Sequence, residues 1–72
     1  MIEAGDVKRI AEERGARERA VEMRKSGRAL VLLYADNTFE GGIEFSGSEA
    51  EALLDRIIAD IDATLRALGV EP

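Results

Sequence analysis

Apolar residues fall at helical spacing near both ends of the chain and crowd together in its middle, a pattern that predicts a helix, a β-hairpin and a second helix. The last element is the clearest. Ala50, Leu53, Leu54, Ile57, Ile58, Ile61, Leu65 and Leu68 are spaced three or four apart and make one continuous stripe. Ser48-Glu49-Ala50-Glu51 matches a capping box, with Ser48 at the N-cap and Glu51 three residues on. Gly69 stops this helix and Pro72 cannot continue it. The first helix is weaker. Asp6 is a good N-cap, and Val7, Ile10 and Ala11 follow at helical spacing, which predicts a helix from Asp6 to Lys25 after a loose lead-in over residues 1–5. Its centre, Glu12 to Arg19, has almost no apolar stripe. Gly15 within it costs about 1 kcal/mol relative to Ala, so a kink or a break into two helices is expected there. Ser26-Gly27 closes the helix, with Gly27 suited to the left-handed position after its end.

Between the helices, Arg28 to Ala35 is rich in Leu and Val and reads as a strand. Asp36-Asn37 suits a two-residue turn, because both residues tolerate positive φ. Thr38 to Ser46 is the return strand, with Phe39, Gly41, Ile43 and Phe45 alternating against Glu40, Gly42 and Glu44. The fold class is therefore α+β, one small α-β-β-α domain over residues 1–72.

A regular hairpin about this turn pairs Tyr34 with Phe39, Leu32 with Gly41, Leu30 with Ile43 and Arg28 with Phe45, and these pairs are expected to cover the helices. The opposite face then holds Ala29, Val31, Leu33 and Ala35 from one strand, against Glu40, Gly42 and Glu44 from the other. Strands buried on both faces read as near-continuous apolar runs. The first strand reads that way, yet two helices cover only one face well. The second face is covered either by the first helix crossing over or by a second molecule, or else Val31 and Leu33 are isolated surface apolars. A second molecule is the favoured reading. Ala29, Val31, Leu33 and Ala35 are then the expected interface, with Glu40 and Glu44 at its polar margin. The hairpin also leaves two unpaired edges that another chain could extend into a four-stranded sheet.

Composition adds a reason to expect a partner. The chain has 72 residues, and so short a chain buries only about 60% of its unfolded surface. It lacks Cys and His, so it has neither a disulfide framework nor a zinc site, and no thiol nucleophile or histidine base. Oligomerisation is the support left to it. The longest apolar run, Ala29 to Ala35, is too short to span a bilayer, and no signal peptide is evident. A soluble, cytoplasmic protein is expected.

Charge is unevenly placed. Residues 1–28 carry eight bases and six acids, and residues 29–72 two bases and nine acids. The basic residues of the first helix are interleaved with Glu12, Glu13, Glu18 and Glu22, the pattern of ion pairs along an exposed helix rather than a nucleic-acid face. The net charge is −5. The carboxylates show no calcium-loop pattern, and neither Glu40-Gly41-Gly42 nor Ser46-Gly47-Ser48 fits a phosphate loop. Glu49 and Glu51 would repel an anion from the start of the last helix. No catalytic, metal or cofactor site is expected, and no membrane or nucleic-acid partner.

The order of elements is loosely similar to that of the lambda-type phage head-completion protein W, on Ser26-Gly27-Arg28 before a hairpin and Ser48 opening a Leu-rich helix. The likeness implies a small helix–hairpin–helix chain. The basic character of that family is missing here. The sequence thus points to a non-catalytic interaction or assembly module acting through its hairpin as a homodimer. The alternative is a small acidic phage-type accessory protein, an inhibitor or nucleic-acid mimic that binds a basic partner.

Overall fold

The computed structural model describes residues 3–72 and contains the four elements in the expected order. Helix α1 spans Ala4–Ser26, strand β1 Arg28–Ala35, strand β2 Thr38–Ser46 and helix α2 Gly47–Ala67. The strands form one antiparallel two-stranded sheet.

The helices run antiparallel and meet in two small cores. At one end Ala20 packs with Ala29, Ala50 and Leu54, flanked by Met23, Leu53, Ile58 and Phe45. At the other end Ile10 packs with Ile61 and Leu65, flanked by Ala16, Leu68 and Val70. Alanine dominates the first core, so the two helices and β1 come close there. Among the described residues, Leu54 and Leu65 are the large side chains wholly removed from solvent.

Helix α1 is a single helix, with no break at Gly15, and it starts at Ala4, two residues before the expected N-cap Asp6. Ala4 and Gly5, expected in a loose lead-in, are helical, whereas Met1 and Ile2 lie outside the described residues. Its polar centre is tied to α2 by Ala16, which packs on the second core, and by an ion pair from Arg17, and a second ion pair follows at Arg24. Arg17 Nε donates to Asp62 at 2.6 Å, and Arg24 Nε donates to Asp55 at 2.5 Å. Both partners repeat at a spacing of seven, so the two bridges lie along one seam between the antiparallel helices. Gly27 ends α1 at φ 72°, its N–H donating to the Met23 and Arg24 carbonyls.

Helix α2 starts at Gly47, after Ser46, and the capping box at Ser48 does not form. The reason is local. The Gly47 N–H is taken by the Gly27 carbonyl at 3.0 Å, which carries the strand pairing into the first residue of the helix. The C-terminus behaves as expected. Gly69 N–H donates to Arg66 O and Val70 N–H to Leu65 O, a Schellman arrangement that lays Val70 on the second core.

The hairpin departs from the regular pairing. Asp36 and Asn37 form the two-residue turn at φ 50° and 67°, and Tyr34 faces Phe39 as expected. Beyond them the register slips, so that Leu33 faces Gly41, Val31 faces Ile43 and Ala29 faces Phe45. Glu40 is the extra residue of a β-bulge, and Gly41 takes φ 141° to complete it. A one-residue slip exchanges the faces of everything beyond it. Ala29, Val31 and Leu33 now share the helix side with Ile43 and Phe45, and Leu30 and Leu32 turn away from the helices. Because Gly41 holds a conformation open to few side chains, Gly41→Ala is expected to lower stability by about 1–3 kcal/mol. Gly42→Ala should cost less, since the one tight approach of the added Cβ is to the flexible end of Leu30 at 3.2 Å, and the Val31 carbonyl and Leu32 side chain lie at ordinary contact distances of 3.5 and 3.6 Å. Chemical denaturation of the two variants checks this order.

Candidate functional site

Both helices lie on the Ala29 side of the sheet, since Ala29 packs among Ala20, Ala50 and Leu54. The other side is bare. There Leu30 is 57% exposed, Leu32 50%, Tyr34 61% and Phe39 56%. Tyr34 and Phe39 meet edge to face, with ring centres 5.6 Å apart, and make an aromatic tip. The side chains of Leu30 and Leu32 lie over Gly42, which has no side chain to separate them. Below this patch Arg28 donates through Nε to Glu44 at 3.0 Å, closing its base with an ion pair. Four of the eight exposed large apolar side chains of the described residues thus lie on one hairpin face.

The helix side of the hairpin is only partly filled. Ala29 is buried, Val31 is half-buried, and Leu33 and Ile43 remain largely exposed. Between the helices and β1 lies an open cleft of about 210 Å³, lined by Ala16, Met23, Val31, Leu53 and Ile57 among others, and Leu30 borders it at the free edge of β1.

The expected interface is therefore corrected. Ala29 is part of the core and cannot serve as a contact in the folded chain. Val31 and Leu33 lie on the helix side, and the outward residues of β1 are Leu30, Leu32 and Tyr34, which the regular pairing had assigned to the helices. Ala35 is exposed beside the turn. Glu40 is exposed at the bulge, and Glu44 is engaged by Arg28 at the margin of the bare face. The adjacent glycines Gly41-Gly42 are the sequence signal that could have revealed the slip.

The chain is also more open than its size requires. Its accessible surface is 5408 Å², against about 4,400 Å² for a compact monomer of this mass. Its radius of gyration is 14.0 Å, against about 11 Å. The difference in area is on the order of 1,000 Å², comparable to the roughly 800 Å² that each partner contributes to a standard interface.

Three ion pairs join separate elements: Arg17 with Asp62, Arg24 with Asp55 and Arg28 with Glu44. No charged side chain is buried among the described residues, and no buried polar side-chain atom lacks a partner. Nor do the described residues hold a cluster of three acids suited to a metal ion, or a helix long and apolar enough to cross a membrane. The hydrogen bond from Arg17 holds the Asp62 carboxyl below its usual value, and the same bond raises Arg17. Asp55 raises Arg24 in the same way. Comparison with family models, curated proteins and solved structures finds no match for this chain.

Asp62 sets a direction for acid stability. A carboxyl held below its usual 3.8 in the folded state stabilises the fold above pH 3.8, and that contribution fades as pH falls through the folded value. Asp62→Asn should be less stable than the parent at pH 7, and the gap should close below pH 3.8. Thermal unfolding across this range measures the gap. An Asp62→Asn deficit that persists at pH 2 would show that the residue acts by shape rather than charge.

Proposed function

We propose that this chain is a non-catalytic protein–protein interaction or assembly module that works through its β-hairpin as a homodimer. One observation carries the reading: β1 is apolar on both sides, and both helices cover the same one. Leu30, Leu32, Tyr34 and Phe39 are left on a rigid, hydrogen-bonded hairpin, where a contact loses little conformational freedom on binding. Aromatic residues on a solvent-facing surface are favoured anchors of protein interfaces. The excess exposed area is of the size a stable interface buries, and a chain with so few fully buried side chains gains stability from association.

The alternative, an acidic mimic of nucleic acid, has less support, because Asp55, Asp62 and Glu44 are already engaged by arginines of the same chain.

Sedimentation equilibrium tests the proposal. The parent chain should be dimeric at high micromolar concentration. Leu30→Lys with Tyr34→Lys should weaken the dimer by roughly thirtyfold or more, the scale of losing an interface anchor. Its helical circular dichroism should be unchanged, since both residues are more than half exposed. A parent that stays monomeric contradicts the homodimer, and a double variant that stays dimeric moves the interface away from this face.

A further inference from the structure

We infer that the second copy adds along the free edge of β1, antiparallel to it, in the register that sets Leu32 opposite the partner's Leu32. The inference rests on the proposal that the chain self-associates, and it names the edge, the symmetry and the contacts.

The two edges of the hairpin differ. From Ala29 to Ala35, β1 carries no charge, no proline and no bulge. The β2 edge carries Glu40, Glu44 and the bulge at Glu40–Gly41. Charges and bulges protect an edge from pairing, and an uncharged regular strand invites it. Two β2 edges would also bring like charges together.

The backbone of β1 is arranged for this. Gly47 N–H donates to Gly27 O in the same register as the rest of the ladder. Bonded pairs recur at every second residue. Ala29, Val31 and Leu33 thus turn their backbone groups toward β2, and Leu30, Leu32 and Tyr34 turn theirs toward the open edge. The residues that carry the bare apolar face are also the ones with free backbone groups.

Symmetry narrows the register. An antiparallel pair related by a two-fold axis must oppose residues of the same face, so the axis passes through a residue and not between two. With Leu32 on the axis, Leu30 lies opposite the partner's Tyr34 and Val31 opposite the partner's Leu33. Arg28 then lies opposite the partner's Asp36, once on each side of the axis. Moving the axis to Leu33 sets Asp36 opposite the partner's Leu30. Moving it to Val31 sets Arg28 opposite the partner's Tyr34. Of the three, the Leu32 register pairs apolar with apolar and base with acid throughout. It also brings the partner's Leu33 beside Val31, at the mouth of the apolar cleft that Val31 shares with Ala16, Leu53 and Ile57.

The absence of cysteine makes the test direct. Single variants Leu30→Cys, Leu32→Cys, Tyr34→Cys, Glu40→Cys and Glu44→Cys of the full chain are oxidised mildly, and the covalent dimer is quantified. All five positions are exposed, and the helical signal of each variant confirms its fold. On the axis the two Cα atoms lie about 5.5 Å apart, within disulfide reach, whereas at positions 30 and 34 the copies are about 14 Å apart and out of reach. Leu32→Cys should therefore cross-link at least about tenfold faster than the others. Asp36→Asn keeps a residue suited to the turn and removes the charge. It should weaken the dimer roughly three- to tenfold at low salt and flatten its salt dependence. Cross-linking that is even across β1, or fastest at Glu40→Cys or Glu44→Cys, in a chain that sediments as a dimer overturns the edge and register and leaves self-association standing. A chain that sediments as a monomer at high micromolar concentration removes both.

Discussion

The structure is governed by one mismatch: β1 offers apolar side chains to both sides of a two-stranded sheet, and the chain has helices for one side. A strand buried on both faces belongs in the middle of a layered fold. Here it forms half of a hairpin whose root is packed on α1 and α2 and whose far portion is exposed. The same sequence feature that anchors the root, through Ala29, leaves Leu30 and Leu32 facing water. The large exposed area and the expanded radius follow from this arrangement.

A single extra residue decides which apolar set is shown. The element order, the Asp36-Asn37 turn, the Gly27 and Gly69 stops and the α2 stripe were all legible, because each depends on residues within a few positions of one another. The presence of an uncovered apolar face was legible too, since it follows from the count of helices. Its identity was not. Alternation in β2 looks regular from Phe39 to Phe45, and the bulge at Glu40 breaks it without changing the sequence of apolar and polar residues. Only Gly41-Gly42 hints that the backbone does something unusual there. Ala29 thereby moves from expected contact to core, and Tyr34 from expected core to aromatic tip.

The continuity of α1 has a similar origin in partners distant along the chain. Read alone, Glu12 to Arg19 lacks an apolar stripe and contains a glycine. Arg17 and Arg24 find Asp62 and Asp55 on α2 at matching sevenfold spacing, and the small residues Ala16 and Ala20 pack in the cores between the helices. Surface ion pairs are individually weak. Here they fix alignment between two helices whose apolar cores sit at opposite ends, which keeps the hairpin root, and so the exposed face, in a defined place.

Tyr34 is the only tyrosine, and there is no tryptophan, so the emission of the chain reports on the tip of the exposed face alone. Iodide quenching of that emission, followed from nanomolar to high micromolar protein, asks directly whether the bare face becomes covered. Covering by a second copy requires quenching to fall as concentration rises, along one binding curve. Equal quenching at every concentration would mean that Tyr34 stays in water, and that no second copy packs against the tip of this face.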